Sequence, residues 1–410
     1  MQLCRDKTVL LGVSGGIAAY RSCELARLLV KDGARVQVVM TEAAAELVGP
    51  LTFQALTGRP VEVGRGGKLA ASGMTHIDLG RDSQLIIIAP ATGNTLAKLA
   101  HGLADNLLTS SVLASTCPVL LAPAMNTRMW KNELTRRNMK ILSSLKRFQV
   151  VGPASGQLAC GEEGTGRMSE PAELFQASRC LLGPGSLSGR RLLVTAGPTH
   201  EPIDPVRVIA NRSSGKMGYA LARAARRRGA RVCLISGPTS LTAPWDVELV
   251  AVETAAQMAR QVSRRLAGSD VLIMTAAVAD YAPSRPARKK LKKAGKNLTI
   301  ELQPTTDILA AAGKRKHRPL LVGFAAETGS PLGEARRKLA DKNLDMIVAN
   351  DVGQAGSGFG SDDNQVHILG RGQDRVDSLP LLPKQEVAEQ ILDRVERLLP
   401  GRRTSSRKRG

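Results

Sequence analysis

Two doubly wound, Rossmann-like α/β domains in tandem are the architecture this sequence predicts, on three observations. A strand, a loop, a helix ended by glycine and a second strand occur in that order twice along the chain. Aromatic residues make up only 2% of a chain that is 43% hydrophobic, with abundant Gly and Ala, which suits helix and sheet layers packed through small side chains better than an all-β sandwich. The stretch Leu182-Gly183-Pro184-Gly185-Ser186-Leu187-Ser188-Gly189 has linker composition and separates the two copies. With 410 residues, each half is long enough to bury a core. The predicted boundaries are 1–184 for the first domain, 185–189 for the linker, 190–401 for the second domain and 402–410 for a basic tail.

The first domain opens with an apolar strand over residues 8–13 and the tight loop Ser14-Gly15-Gly16. A helical pattern over 17–31, a stop at Gly33 and a strand over 36–40 follow. Apolar runs at 85–89 and 119–122 read as further buried parallel strands. The second domain repeats the plan with a strand at 192–195, a long loop, a helix over 215–228, the Gly229 stop and a strand at 232–235. Strands near 271–275, 320–324 and 346–349 and a final helix over 385–399 complete it.

Several function classes are excluded at this level. No segment approaches the roughly 20 apolar residues of a membrane span, and the N-terminus lacks the pattern of a signal peptide, so the expectation is a cytoplasmic protein without membrane contact. The six cysteines, Cys4, Cys23, Cys117, Cys160, Cys180 and Cys233, have neither disulfide-framework nor zinc spacing. The net charge of +22 is concentrated in residues 285–318 and 402–409. With few aromatics to stack bases and no helix-turn-helix or zinc-finger pattern, nucleic acid is not the expected partner, and the tail reads as a solvated, disordered end.

In the first domain, the loop Gly12-Val13-Ser14-Gly15-Gly16-Ile17-Ala18 joins a strand to a helix, so its free amides and the helix dipole form an anion site. It is not G-x-G-x-x-G, no acidic residue stands where an adenosine ribose would need one, and Thr41 offers a hydroxyl there. A monophosphate cofactor such as FMN fits better than NAD, although such a turn also occurs as a plain chain reversal. The small and polar residues of Ile88-Ala89-Pro90-Ala91-Thr92-Gly93-Asn94-Thr95-Leu96-Ala97-Lys98 let backbone approach a flat ring closely. The octet Pro123-Ala124-Met125-Asn126-Thr127-Arg128-Met129-Trp130 sets an amide, two thioethers and an indole just after a buried strand. Pro123 ends that strand, so Asn126 projects where open α/β sheets bind ligands.

That octet, Pro-x-Met-Asn-x-x-Met-Trp, resembles the signature of flavin-dependent cysteine decarboxylases that act on phosphopantothenoylcysteine and related peptidyl cysteines. The 88–98 segment and Ala104-Asp105-Asn106-Leu107-Leu108-Thr109 match the same family. The resemblance implies FMN held by Ser14, Gly15, Gly16, Ile17, Thr41, Pro90, Ala91, Thr92 and Asn94. It implies that His76, in Met74-Thr75-His76-Ile77-Asp78-Leu79, is the active-site base, a role suited to a reference pKa of about 6.5. Cys160, in the glycine-rich stretch 156–167, becomes a proton donor, its thiol largely protonated near neutrality at a reference pKa of about 8.5, and Asn126 the anchor of the departing carboxylate. The implied chemistry oxidises the cysteine at Cβ before carbon dioxide leaves and reduces the resulting enethiolate afterwards, with no net redox change.

In the second domain, residues 195–218 are too polar for core and too long for a plain connector. They end at a helix N-terminus ready for phosphate, but Gly215-Lys216-Met217 lacks the rest of a Walker A loop. The run resembles the opening of phosphopantothenate-cysteine ligase, which implies that Asn211 helps form and bind an acyl-nucleotide intermediate. Met274-Thr275-Ala276-Ala277-Val278-Ala279-Asp280, Lys290-Leu291-Lys292-Lys293 and Gly323-Phe324-Ala325-Ala326-Glu327-Thr328 agree with it, with Lys338 and Lys342 four residues apart on one helical face. The implied CTP site comprises Met274, Thr275, Ala276, Asp280, Lys290, Thr305, Thr306, Asp307, Ile308, Phe324, Lys338 and Lys342, and a triphosphate gives the local cations a purpose. The family commonly has Asn-Pro-Asp-Ile where this chain has Thr305-Thr306-Asp307-Ile308. Gly358-Phe359-Gly360-Ser361-Asp362-Asp363-Asn364 matches a family segment without an assigned role.

Taken across nearly the whole chain, the resemblance implies the bifunctional phosphopantothenate-cysteine ligase and phosphopantothenoylcysteine decarboxylase of coenzyme A synthesis. Its substrates would be 4'-phosphopantothenate, cysteine and CTP, with FMN and Mg²⁺ as cofactors; the sequence names no metal ligands. It also implies a homo-oligomer, with trimeric decarboxylase units whose flavin sites lie between subunits and dimeric ligase units. A decarboxylase of peptide C-terminal cysteines would leave the second half without a task, and a basic nucleic-acid-binding or regulatory flavin-binding protein is the non-enzymatic alternative.

Overall fold

The computed structural model of the protein describes residues 4–64, 75–157, 161–292, 298–327, 329, 331–351, 360–373 and 375–400, without the side chains of residues 331 and 351. Cys160, Lys293, Thr328, residues 358–359 and the basic tail lie outside the described residues. The chain divides into two compact units, Met1–Gly183 and Pro184–Gly410, each with its own sheet and core.

The first unit is built on six parallel strands: β1 (Thr8–Val13), β2 (Arg35–Met40), β3 (Val61–Val63), β4 (Leu85–Ala91), β5 (Val119–Pro123) and β6 (Phe148–Val150). Their order is β3-β2-β1-β4-β5-β6, the doubly wound order that reverses between β1 and β4 and opens a ligand crevice at the strands' carboxyl ends. Both faces are covered. Leu10, Ile86, Ile88, Val119 and Leu121 pack on Leu96, Leu108, Val112 and Leu142, while the alternate residues Val9, Leu11, Ile87 and Leu120 are also wholly buried. That two-sided burial is why these strands read as unbroken apolar runs. The expected helix over 17–31 is divided into a 3-10 turn, Ile17–Tyr20, and an α-helix, Arg21–Lys31. Extended Gly16 offers no side-chain cap to start an α-helix at residue 17. An antiparallel hairpin, β7 (Ala154–Gln157) and β8 (Glu163–Arg167), follows the sheet.

In chain order the second unit contains β9 (Arg191–Ala196), β10 (His200–Pro202), β11 (Val208–Ala210), β12 (Arg231–Ser236), β13 (Glu248–Ala251), β14 (Val271–Met274) and β15 (Tyr281–Pro283). It continues with β16 (Leu302–Pro304), β17 (Leu320–Glu327), β18 (Met346–Asp351), β19 (Asp363–Asn364), β20 (His367–Gly370), β21 (Asp377–Ser378) and β22 (Leu382–Pro383). The main sheet runs β13-β12-β9-β14-β17-β18-β20-β21. Its first six strands are parallel, and β20 and β21 extend it antiparallel.

Alternation along β9 divides this core in two. Leu192 and Val194 face Tyr219, Leu221, Val387 and Ile391, whereas Leu193 faces Met258, Val262, Leu309 and Leu344 on the other side. Burying each such aliphatic side chain contributes about 1.5–3 kcal/mol. Helix Lys216–Arg227 lies close against β9 because Gly218 has no Cβ, which would stand 2.5 Å from Ala196 Cβ. No helix among the described residues is long and apolar enough to cross a membrane.

Candidate functional site

Each unit carries a cavity at the carboxyl ends of its parallel strands. In the first unit a cavity of about 1000 Å³ is lined by Gly15, Gly16, Ile17, Thr41, Thr92, Asn94 and Asn126, among others. Ser14, Pro90 and Ala91 stand behind this lining. Ser14 is buried; its Oγ donates to Pro90 O at 2.7 Å and accepts the Thr92 N–H at 3.0 Å. One hydroxyl therefore ties the loop after β1 to the loop after β4, across the point where strand order reverses. Thr41 faces the cavity while its hydroxyl caps helix Glu42–Leu47 through the Ala44 N–H at 3.2 Å.

Asn126 follows β5, as its sequence position predicts. Its Oδ1 caps helix Thr127–Lys131 by accepting the Arg128 N–H at 2.8 Å, and its Nδ2 donates to Glu162 at 3.2 Å. The β7–β8 hairpin is laid against this loop: the Met125 N–H donates to Gly166 O at 2.9 Å. Gly166 is required there, because a Cβ would fall 2.1 Å from Met125 O.

His76 is exposed at the start of helix His76–Asp82 and is absent from the cavity lining. A reciprocal capping box between Thr75 and Asp78 fixes that helix start, and the Thr75 hydroxyl and N–H, with Arg81, hold the Asp78 carboxyl below its ordinary range.

Two lining cations have clear partners. Arg21 donates to Met168 O at 3.1 Å and pairs with Glu170, and Lys98 meets Asp105 at 2.7 Å. Arg21 was not singled out by the sequence; its place one helical turn beyond Ile17 is the signal that points to it.

The second unit's cavity, about 610 Å³, is lined by Asn211, Met274, Thr275, Ala276, Asp280, Thr305, Thr306, Asp307, Ile308, Phe324, Lys338 and Lys342. Distant segments thus converge on one space. Asn211 Nδ2 donates to Val278 O at 2.9 Å, which joins the long polar loop to the loop after β14. Thr305 supplies a second tie: its hydroxyl donates to Ala279 O at 2.6 Å and its N–H to Asp280 O at 2.8 Å. The loop that departs from Asn-Pro is thereby held by a threonine side chain.

Two of the three expected phosphate-binding lysines rest on carboxylates, Lys338 on Glu327 at 2.6 Å and Lys342 on Asp307 at 2.8 Å. Burial raises the Asp307 pKa, but the Ala310 N–H and Lys342 outweigh it and hold the carboxyl below its ordinary value.

Lys290 is exposed and does not line this cavity. Its neighbour Leu291 is nevertheless pinned. Buried Asp204 accepts the Leu291 N–H at 3.1 Å, the Val206 N–H at 2.8 Å and the Arg207 N–H at 2.9 Å, and Arg207 Nη2 donates to Leu291 O at 2.7 Å. Burial disfavours the charged Asp204 carboxylate, yet these donors and the Arg207 guanidinium dominate and hold its pKa well below the ordinary carboxylate range.

Lys216 and Lys384, also lining residues, hold the segment 360–364. Lys216 Nζ contacts Gly360 O at 2.8 Å and Asp362 at 2.7 Å, and Lys384 donates to Ser361 O. Burial, with Lys216 nearby, pushes the Lys384 amine below its usual range. Sequence reading weighed Lys216 only as part of an incomplete Walker A loop and missed Lys384; the two lie far apart in the chain and converge on a segment given no role.

Known proteins combine the same two halves. Residues 2–182 match the flavoprotein family, and residues 187–399 match the DNA/pantothenate metabolism flavoprotein C-terminal domain. The coenzyme A biosynthesis bifunctional protein CoaBC of Vibrio cholerae serotype O1 is 46% identical over 396 residues, 96% of this chain and 98% of that protein. The protein of the same name in Bacillus subtilis is 45% identical over 401 residues, 97% of this chain and 98% of its own length. The chain belongs to this family of coenzyme A biosynthesis bifunctional proteins. The solved C-terminal domain of a CoaBC protein is 45% identical, covers 52% of this chain and 98% of its own, and has a TM-score of 0.46. Within the family, the two cavities correspond to its two halves, one in the flavoprotein half and one in the C-terminal half.

Proposed function

We propose that the second unit couples 4'-phosphopantothenate to cysteine with CTP through an acyl-cytidylate, and that the first unit decarboxylates the product with FMN to 4'-phosphopantetheine. The observation that carries this reading is the pairing, in one chain of this family, of two cavities lined by two different motif series.

The first cavity fits a flavin mononucleotide. Its volume matches a cofactor-sized ligand, and the 3-10 turn at Ile17 starts without a side-chain cap, which leaves backbone donors for a phosphate. Gly15, Gly16, Ile17, Thr92 and Asn94 would hold the cofactor directly, with Ser14 fixing the two loops. Bound there, FMN supplies the two-electron oxidation of the cysteine that precedes carbon dioxide loss and the reduction that follows. Asn126 holds the carboxylate with Nδ2, since Oδ1 is committed to the helix cap. His76 takes a proton from the substrate and Cys160 returns one at the end. The chain acts as a homo-oligomer, trimeric through its decarboxylase units and dimeric through its ligase units; flavin sites between subunits give exposed His76 a site to serve.

In the second cavity Lys338 and Lys342 exchange their carboxylate partners for CTP phosphates, Phe324 lies near the base and Lys290 reaches the triphosphate from its pinned loop. Asn211 holds the acyl-cytidylate while the cysteine amine attacks. Among the described residues no group of three His, Cys, Asp or Glu could hold a metal ion, so Mg²⁺ enters with the CTP phosphates and keeps part of its water shell. Purified protein should carry a yellow flavin and release pyrophosphate over many turnovers only when CTP, phosphopantothenate and cysteine are all present, with at most a single stoichiometric release from CTP and phosphopantothenate alone. Flavin-loaded protein without that release would overturn the ligase assignment.

A further inference from the structure

We propose that Glu162 keeps the substrate's place in the first cavity: its carboxylate occupies the Asn126 amide until the carboxylate of an incoming C-terminal cysteine displaces it. The inference rests on the decarboxylase reading above, in which Asn126 anchors the group that leaves as carbon dioxide.

The helix cap settles which end of Asn126 meets a ligand. With Oδ1 accepting the Arg128 N–H at 2.8 Å, the amide nitrogen is the end turned away from helix Thr127–Lys131. That nitrogen donates to Glu162 Oε2 at 3.2 Å, and Glu162 Oε1 lies 3.6 Å from Arg128 Nη2. An amide and a guanidinium from the start of one helix thus hold one carboxylate, the arrangement a substrate carboxylate would seek. Glu162 arrives at this loop immediately before β8, the strand whose Gly166 O accepts the Met125 N–H. Asn126, Gly166 and Arg167 line the same cavity, so Glu162 sits at the rim of the site that Asn126 serves.

The strength of the contact suits exchange. The side chains of Glu162 and Arg128 are 46% and 88% exposed, and an exposed pair is held weakly. A second carboxylate at the same nitrogen would be repelled by the first, so substrate and Glu162 compete. Decarboxylation then ends the competition, because the anion becomes neutral carbon dioxide and the product has no charge at that position. Glu162 regains Asn126 without opposing the product, which separates the affinities of substrate and product.

The test uses the full chain loaded with FMN and two variants, Glu162→Gln and Glu162→Ala. Phosphopantothenoylcysteine is the substrate and 4'-phosphopantetheine the carboxylate-free ligand. Removing an exposed charge competitor should lower the KM for the substrate about two- to fivefold in both variants, while the Kd of the product, read by calorimetry, stays within about twofold. A KM that is unchanged or raised in both variants overturns the inference. So does an equal shift of substrate KM and product Kd, because the residue would then shape the cavity without distinguishing the carboxylate. A wild-type chain that loads FMN but never releases carbon dioxide would instead remove the decarboxylase reading, a separate outcome.

Discussion

Ser14 and Thr305 perform the same task in the two units, each tying two ligand-facing loops together with one hydroxyl. Ser14→Ala leaves the Pro90 carbonyl and the Thr92 N–H without that partner, at a cost of about 1–3 kcal/mol. We expect roughly tenfold weaker FMN binding by flavin fluorescence titration, with ligase turnover unchanged. Thr305→Val keeps the shape but loses the donor to Ala279 O, so the KM for CTP should rise about fivefold while decarboxylation of added phosphopantothenoylcysteine is unaffected. At this scale the sequence was legible where a residue sits at a strand end. Asn126, Asp280 and Phe324 reach a cavity because a parallel strand delivers its carboxyl end there, and Asn211 reaches one from the end of β11 in the antiparallel β10–β11 hairpin. Ser14 was picked as a flavin contact, yet a motif does not distinguish a lining residue from the residue behind it. Lys290 and His76 lie outside the cavity linings of the single chain, and nothing in their local patterns encodes that.

Unlike the short strands β3, β6, β13, β20 and β21, the longer parallel strands of both sheets were readable because each is an apolar run bounded by turn residues. The short hairpins were not. β7–β8 is mostly glycine and polar residues, and β10–β11 pairs three residues with three inside a loop, so their pairing depends on long-range contacts. These hairpins position the sites and are where substitutions should act most sharply. Gly166→Ala drives a Cβ into Met125 O and must displace β8, so decarboxylation should fall at least about 100-fold while pyrophosphate release persists.

In the second unit, Asp204 joins the β10–β11 loop to the chain that bears Lys290. Its pKa is lowered in the folded state from the reference value of 3.8, so its stabilising effect is present above that value and is lost as pH falls through the folded pKa. The chain has two tryptophans, and Trp130→Phe leaves Trp245 to report on the second unit. In that background the urea midpoint of wild type should exceed that of Asp204→Asn at pH 7, and the gap should close as pH falls below the reference value. A gap that is constant with pH would contradict the ionic role of Asp204.

For the molecule as a whole, the two sheets and the doubly wound class follow from repetition of one pattern in the sequence. The sequence places the linker at residues 185–189, and the compact units meet at residues 183 and 184. With one cavity in each unit, the two activities should be separable by mutation. Lys338→Ala, which removes a lining cation of the second cavity, should abolish pyrophosphate release yet leave decarboxylation of supplied phosphopantothenoylcysteine intact. The most direct measurement follows cysteine labelled with ¹³C at its carboxyl through the FMN-loaded full chain with CTP, Mg²⁺ and 4'-phosphopantothenate. The label should appear first in phosphopantothenoylcysteine and then in carbon dioxide, with one pyrophosphate released per cysteine consumed. Label that remains in free cysteine, or carbon dioxide released without the amide intermediate and without pyrophosphate, would contradict the account.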